Sequence, residues 1–284
     1  MKKLTQAEYL PTHKLKSFEG HPFYVKDDDE MEQLTESIRQ QGVLNPIMVR
    51  PLNTGEYEVI SGHRRPHACK KAGIEMIPAF IYSMDRSEAV VAMVDSNLHR
   101  EKLLPSEKAF AYKMKMEAMK HQGQRTDLTL GQVGTKLRSD EIIAQRSGES
   151  RNQVQRYIRL TNLIPGILQK VDSGEIALTP VVELSYLDKD TQEFVLDAME
   201  QEDCTPSYSQ MKKLYNSYLL DEDTIYSILV EEKANQREKI SFHVNDLRDY
   251  FPRGYTASQM SREILQALEE RRIRAIRERD RDGR

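Results

Sequence analysis

The chain of 284 residues contains no tryptophan, only two cysteines and no long apolar run. Cys69 and Cys204 lie far apart and match no metal-binding spacing, so we expect reduced thiols and a cytoplasmic location. No stretch approaches the roughly 20 apolar residues that a membrane-spanning helix needs, so no membrane partner is expected. The opening MKKLTQAEYLPTHK has a basic start but no continuous apolar region, and it does not predict a signal peptide.

The sequence also lacks a large excess of charge of either sign, since its net charge is −3. This balance argues against a protein that coats nucleic acid through bulk charge, but it allows a locally basic face. Charged residues make up 31% of the chain and hydrophobic residues 38%, which is polar for one compact globule. A modular chain with several small cores and exposed helices is therefore predicted.

Periodicity and turn residues divide the chain into four predicted parts. Residues 1–22 look irregular and predict a flexible segment. Residues 23–103 predict a small α+β domain, in which a serine caps the helix of SEAVVAMVDSNLHRE. Residues 104–235 are mainly helical, with a candidate helix-turn-helix at about 140–160. Residues 236–284 hold a short strand candidate, KISFHV, and an amphipathic helical segment that could form a dimer interface.

A candidate phosphate site lies in SGHRRPHACKKAG, residues 61–73, which follows a β-branched run. Gly62 would let the backbone approach a ligand closely, and Arg64 and Arg65 could grip phosphate oxygens. Pro66 suits the first turn of a helix, whose free N–H groups attract anions. A solvated basic turn remains the alternative at this stage. Metal binding by the histidines of this stretch is not supported, because no acidic or cysteine partner stands at ligand spacing.

A candidate helix-turn-helix lies in DEIIAQRSGESRNQVQRYIRL. Gly148 marks the turn, Ser150 caps the second helix, and Val154 and Ile158 face inward. Recognition of DNA requires Arg, Asn or Gln at base edges and flanking Arg or Lys at phosphates. A plain helical hairpin with a polar outer face is the alternative. The DNA-binding candidates are Lys136, Arg138, Arg146, Ser150, Arg151, Asn152, Gln153, Gln155, Arg156 and Arg159.

Three segments in this order resemble the ParB family of partition proteins. ESIRQQGVLNPIMVR resembles the family segment around the nucleotide base, and ISGHRRPHACKKAG resembles its glycine–arginine–arginine box. DSNLHREKLLPSEKAFAY resembles its glutamate-asparagine-x-glutamine-arginine box and the following helix. The resemblance covers about residues 23–190. It implies a ParB/sulfiredoxin-like α+β domain, a mainly α-helical helix-turn-helix domain and a small C-terminal helical segment.

The resemblance also implies ligands, partners and roles. It implies a homodimer that binds CTP with Mg²⁺, closes as a clamp on a centromere-like double-stranded DNA site, and works with a ParA-type ATPase. The location would be the cytoplasm, on the nucleoid or a plasmid. Asn97 would help to hold Mg²⁺. The implied nucleotide-binding residues are Gly42, Asn45 and Pro46 near the base, Gly62, His63, Arg64 and Arg65 on the triphosphate, and Asn97, His99 and Arg100.

Three positions depart from the family pattern. Asn45 stands where glutamine is usual, and His63 replaces a common glutamate, although histidine also occurs there in relatives. Ser96 stands where the family has the glutamate tied to nucleotide hydrolysis. Because a serine hydroxyl is a weak general base, we expect nucleotide binding with slow or absent hydrolysis.

Other functions on the same scaffold remain open from the sequence. One is a transcription regulator or a nucleoid-occlusion-type DNA-binding protein. Another is an enzyme related to sulfiredoxin or to free-serine kinases. In a sulfiredoxin-like enzyme, Cys69 would have to be the redox residue. A buried structural cysteine is the preferred interpretation, and an enzyme leaves the helix-turn-helix unused.

Overall fold

The computed structural model describes residues 2–3, 6–98, 100, 103–126, 138–217, 221–231, 247–252 and 254–282. The chain divides into two compact units, residues 1–231 and residues 232–284. None of the described helices is both long enough and apolar enough to cross a membrane. The strand candidate KISFHV lies outside the described residues.

The first unit begins with six strands and three helices in an α+β arrangement. The strands are β1 Lys2–Lys3, β2 Glu8–Pro11, β3 Leu15–Lys16, β4 Ile47–Pro51, β5 Tyr57–Ser61 and β6 Met76–Ser83. The helices are α1 Asp29–Gln41, α2 Arg64–Ala72 and α3 Arg86–Asn97.

The sheet has the order β1-β6-β4-β5-β3, and β2 also pairs with β6. Strand β4 runs antiparallel to β5 and parallel to β6, whereas β3 runs parallel to β5. Neighbouring residues of a strand point to opposite faces. Val49 and Val59 therefore pack in a core with α1 and α2, while Met48 and Ile60 pack in a second core with α3.

Two local expectations differ from the structure. The segment predicted to be flexible contains β1, β2 and β3, and its strand β2 pairs with β6 while Leu10 is buried in the core. Its pairing partner lies about 70 residues further along the chain, so no local pattern announces the strand. Helix α3 is capped by Asp85, which forms a capping box with Glu88, and the predicted serine cap is wrong.

The remaining helices of the first unit follow α3. They are α4 Pro105–Thr126, α5 Ser139–Ser147, α6 Arg151–Arg159, α7 Pro165–Asp172, α8 Leu178–Leu184, α9 Lys189–Gln201, α10 Tyr208–Asn216 and α11 Glu222–Val230. In the second unit, α12 covers Ala257–Asp282. An α+β domain followed by helices is therefore confirmed.

Helix α4 connects the sheet domain to the helical part of the first unit. Ala111 packs in the core beside α3, Tyr112 packs with the helices α5 and α6, and Ala109 packs with the larger helical core. Helix α4 thus contributes side chains to three cores. Because these cores are closely packed, a displacement at the end of α3 can displace α5 through α4.

Candidate functional site

The turn between β5 and α2 is held closely against the residues before β4. Gly62 has φ +90°, and a Cβ there would lie 3.1 Å from both the Arg65 guanidinium and the Ile47 side chain. Arg65 Nη1 donates to the carbonyl oxygens of Asn45 at 2.9 Å and Pro46 at 3.0 Å. The structure therefore brings together four of the predicted nucleotide-binding residues. The glycine is required because its backbone conformation is one that side chains rarely adopt.

Arg64 points towards the start of α1. Its guanidinium donates to Glu30 Oε2 at 2.9 Å and to Asp28 Oδ1 at 3.2 Å, while its Nε is buried without a hydrogen-bond partner in the part of the chain that the structure describes. Both carboxylates are substantially exposed, and exposed ion pairs contribute little because water screens them. An incoming anion can therefore compete for Arg64 at low free-energy cost.

His63, at the start of α2, is buried and lies against His21, with 3.7 Å between the ring centroids and 40° between the ring planes. Both ring nitrogens of His63 and Nε2 of His21 are buried without a hydrogen-bond partner among the described residues. Burial, followed by the neighbouring His21 and Arg100, lowers the pKa of His63 to about 3. Burial likewise lowers the pKa of His21 to about 4. Both rings are therefore neutral near pH 7, and His21 is a residue that sequence reasoning missed.

A cleft of about 570 Å³ opens beside this pair of rings. It is formed by the segment between β2 and α1 on one side and by α2 on the other. Cationic or neutral nitrogen-bearing side chains dominate its polar surface, which suits an anionic ligand. The lining residues are Thr12, His13, Leu15, Ser17, His21, Val25, His63, Pro66, His67 and Lys70.

The end of α3 supplies the other predicted contacts. Asn97 is buried, and its Nδ2 donates to Met93 O at 2.8 Å and to Ser96 Oγ at 3.2 Å. Arg100 lies over the Phe23 ring at 5.7 Å, and burial lowers the pKa of its guanidinium. His99 lies outside the described residues. Gly42 ends α1 at φ 72°.

The described residues do not by themselves form a magnesium site. No group of three His, Cys, Asp or Glu side chains in the described ranges could hold a metal ion. The Asn97 amide nitrogen is turned into its own helix, so this residue offers only its amide oxygen to a cation. Mg²⁺ prefers oxygen ligands and is commonly bound together with substrate phosphates. The residues therefore fit a metal that arrives with a nucleotide.

Cys69 lies in the core beside α2 and is fully buried. Burial raises the pKa of its thiol, which keeps the sulfur protonated and unreactive. The prediction that this cysteine is buried is confirmed, and its burial argues against the redox-enzyme alternative.

The second candidate site is built from α5 and α6, joined by a tight turn. Gly148 ends α5 in the left-handed conformation with φ 71°. Ser150 then caps α6 by accepting from Gln153 N at 3.1 Å. Val154 and Ile143 are fully buried together with Tyr112 of α4. The two helices are therefore fixed to α4 by a common apolar core, and the predicted turn and cap are present.

Asp140, at the start of α5, organises three of the candidate DNA-binding side chains. Its carboxylate is buried and accepts from Arg151 Nε at 2.8 Å and from Gln155 Nε2 at 3.0 Å, with Arg138 Nε at 3.5 Å. Burial favours the protonated acid, but the hydrogen bonds from Gln155 and Arg151 outweigh it and lower the pKa of Asp140. The carboxylate therefore sets the angle between α5 and α6.

Three further arginines are also engaged by protein groups. Arg156 donates to Thr179 Oγ1 at 2.7 Å, and Arg159 donates to Ser185 O at 2.6 Å and covers the Tyr186 ring. Arg146 pairs with Asp95 of α3. Lys136 lies outside the described residues. At the start of α6, Asn152 is exposed, and Gln153 Oε1 accepts only a long hydrogen bond of 3.4 Å from Arg156 Nη1 among the contacts above.

The comparison with known proteins adds the family. A profile of the ParB N-terminal domain matches residues 2–98. A probable chromosome-partitioning protein ParB of Pseudomonas putida is 30% identical over 188 residues, which are 66% of this chain and 59% of that protein. A nucleoid occlusion protein of Listeria monocytogenes serotype 4a (strain HCC23) is 30% identical over 191 residues, which are 67% and 61% of the two chains. The chain thus spans only 59–61% of these relatives' length.

Two crystal structures of the C-terminally truncated ParB from Caulobacter crescentus are also similar to this chain. The one complexed with CTP-gamma-S is 28% identical, with 64% of this chain and 93% of that chain covered and a TM-score of 0.32. The one complexed to the centromeric parS site is 23% identical, with 73% and 98% covered and a TM-score of 0.45. The resemblance read from the motifs is confirmed by the family profile and the two relatives: the chain belongs to the ParB family, and residues 2–98 are its ParB N-terminal domain.

Proposed function

We propose that this chain is a site-specific DNA-binding partition protein that acts as a CTP-gated dimeric clamp on DNA. The segregated molecule would be a plasmid, a mobile element or a chromosome. The observation that carries the proposal is the turn at residues 61–65. Among the described residues, the ring nitrogens of His63 and Nε of Arg64 are buried without a hydrogen-bond partner, and His63 lines a cleft. The basic helices α5 and α6 lie in the same compact unit and would bind the specific DNA site.

The nucleotide part rests on charge and geometry. Arg64, Arg65 and Arg100 would balance a triphosphate, and the start of α2 adds backbone N–H groups that attract anions. Mg²⁺ would neutralise part of the phosphate charge, and the Asn97 amide oxygen would help to hold the ion. The preference for CTP comes from the family resemblance and from the position of Asn45 and Pro46 beside the turn.

Calorimetry with CTP, ATP and GTP, each with and without Mg²⁺, tests this proposal. We expect CTP to bind most tightly with Mg²⁺, and Arg64→Ala to weaken it about tenfold to a hundredfold, because a charge-assisted contact to phosphate is lost. Lys14→Ala, which also removes one exposed cation, serves as the control and should leave the affinity unchanged. Equal weak binding of all three nucleotides, unaffected by Arg64→Ala, would contradict the proposal.

Hydrolysis of the nucleotide is expected to be slow. Ser96 Oγ donates to Met93 O at 2.9 Å, so its hydroxyl is turned into the helix and carries no negative charge for a water molecule. Asp95 is engaged by Lys115 and Arg146 and does not replace the missing carboxylate.

Ser96→Glu is expected to raise CTP turnover at least several-fold, because it introduces a general base where the family has one. Phosphate release by wild type and variant gives the measurement, and Ser96→Gln controls for the longer side chain without the charge. A wild-type rate that already matches the Ser96→Glu variant would show that the serine does not limit hydrolysis.

A nucleoid-occlusion-type protein or a transcription regulator is the second candidate. The nucleoid occlusion protein of Listeria monocytogenes and the partition protein of Pseudomonas putida have the same sequence identity to this chain, 30%. This equality supports the second candidate. Both candidates share DNA binding and clamp closure. A ParA-type ATPase that binds this protein and drives plasmid segregation would favour partition, whereas changed transcription or division without segregation defects would favour the alternative.

The proposed assembly is a homodimer in the cytoplasm, bound to the nucleoid or a plasmid. Helix α12 exposes Leu265, Leu268 and Ile273 along its length and is the candidate for a permanent interface between two copies. A ParA-type ATPase would be the partner in partition, and the N-terminal residues are the candidate contact for it.

A further inference from the structure

The neighbouring rings of His21 and His63 are, among the described residues, the polar groups of the cleft with the fewest hydrogen-bond partners. Three of their four nitrogens are buried and lack a hydrogen-bond partner among the described residues. Buried polar atoms in folded proteins are almost always paired, and exceptions point to a missing ligand. His63 belongs to the phosphate turn, whereas His21 comes from the segment before α1 and lies outside the three segments on which the resemblance was based.

The charges around this pair are mostly positive or already neutralised. Arg100 lies close enough to lower the pKa of both rings, and Lys70 and His67 line the same cleft. Asp27 accepts from His67 and Lys71, and Glu107 accepts from the backbone of Tyr24 and Leu104. The remaining acids nearby, Asp28 and Glu30, pair with Arg64. No described carboxylate contacts the two rings. The backbone at Val59 and Phe23 favours the protonated rings, but burial outweighs it, so an anion in the cleft would add the missing stabilisation of a proton.

We propose that His21 is a further triphosphate-binding residue and that the His21–His63 pair takes up a proton when the nucleotide binds. The inference rests on the proposed nucleotide site. Each neutral ring already has one N–H donor, and an added proton would give the pair a second donor on one ring and a positive charge, both of which strengthen its contact with a phosphate oxygen in the cleft. Binding therefore becomes tighter as the pH falls.

The direction in which the nucleotide affinity changes with pH follows from the pKa values of the free protein, about 4 for His21 and about 3 for His63. A bound anion raises these pKa values, because it favours the charged imidazolium. At pH values between the pKa of the free protein and the pKa of the nucleotide-bound protein, nucleotide binding is accompanied by proton uptake. By linkage, one proton taken up makes the affinity fall by up to about tenfold for each unit of pH increase.

Calorimetry with CTP and Mg²⁺ at pH 6 and pH 8 tests the inference, in pairs of buffers with different ionisation heats. We expect wild type to take up close to one proton at pH 6 and to bind about tenfold more tightly there than at pH 8. His21→Gln should weaken binding at pH 6 and abolish most of the proton uptake. His121→Gln, which removes an exposed histidine of α4 that does not line the cleft, is the matched control and should keep the wild-type pH dependence.

Two outcomes separate the inference from the function on which it rests. CTP binding without proton uptake in wild type, or with unchanged uptake in His21→Gln, would overturn the role of the pair and leave the nucleotide site standing. Absence of CTP binding at both pH values would overturn both. Should His21→Gln fail to fold, the imidazole NMR resonances of wild type with and without CTP keep the test decisive, because protonation shifts the His21 signals.

Discussion

Asp95→Ala is expected to lower the free energy of unfolding by about 3 kcal/mol, the largest effect of any single change considered for stability. Asp95 of α3 accepts from Lys115 of α4, whose ammonium group is fully buried, and from Arg146 of α5. Removing the carboxylate leaves a buried ammonium without a partner. Since burial lowers the pKa of Lys115, the loss should shrink as the pH rises and the amine gives up its proton.

Chemical denaturation measures this effect, and two further variants separate its causes. Lys115→Met in the Asp95→Ala background should restore most of the stability, because an apolar side chain replaces the unpaired charge. Arg146→Ala alone should cost less than about 1 kcal/mol, since its side chain is largely exposed. A small effect of Asp95→Ala, unchanged by the second substitution, would show that Lys115 does not depend on this carboxylate.

The Asp95 cluster also lies where the two proposed functions meet. Asp95 precedes Ser96 and Asn97 of the nucleotide segment, and its partner Arg146 belongs to the first helix of the proposed DNA-binding pair. A movement of the end of α3 therefore changes the position or the availability of Arg146. The ion pair gives the clamp proposal a physical link between nucleotide and DNA.

The double variant Asn152→Ala, Gln153→Ala is expected to bind its specific DNA site about a hundredfold or more weakly than wild type. Both side chains stand in the first turn of α6, next to the Ser150 cap, where a recognition helix reaches base edges. Each good amide-to-adenine contact is worth about 1–3 kcal/mol of discrimination. Neither side chain carries charge, so attraction to the phosphate backbone should be preserved.

Affinity for two duplexes measures the effect: one selected from a random pool by wild type, and one with the same bases shuffled. We expect the loss only for the selected duplex, with the salt dependence unchanged, because phosphate contacts set that dependence. Gln201→Ala, at the exposed end of α9, is the matched control. Equal affinity of wild type and double variant for the selected duplex would remove α6 from sequence recognition.

Much of the local structure is predictable from the residues. Gly42 ends α1, Gly148 and Ser150 shape the turn between α5 and α6, and the runs around NTG form β4 and β5. These features rest on hydrogen bonds between near neighbours and on the spacing of apolar side chains, both of which the linear order records. The motif order also indicated the family, which the comparisons confirm.

The arginines show the limit of that reasoning. Residue type and helix position predict Arg151, Arg156 and Arg159 as DNA contacts, yet each of them contacts a protein group in the structure. A guanidinium serves a phosphate, a carboxylate or a carbonyl oxygen equally well. The residue type alone therefore does not predict the partner of an arginine. The groups on neighbouring helices determine which partner it contacts.

The sequence by itself determined helices α1, α5 and α6 with the caps at Gly42, Gly148 and Ser150, the β4–β5 hairpin, the burial of Cys69 and the presence of the ParB motifs. Only the tertiary structure brought β2 to β6, His21 to His63, and Asp95 to Lys115 and Arg146. The physical reason is range. Caps, turns and amphipathic faces are set by residues a few positions apart, whereas burial, stacking and ion pairing join residues that become neighbours only when the cores pack.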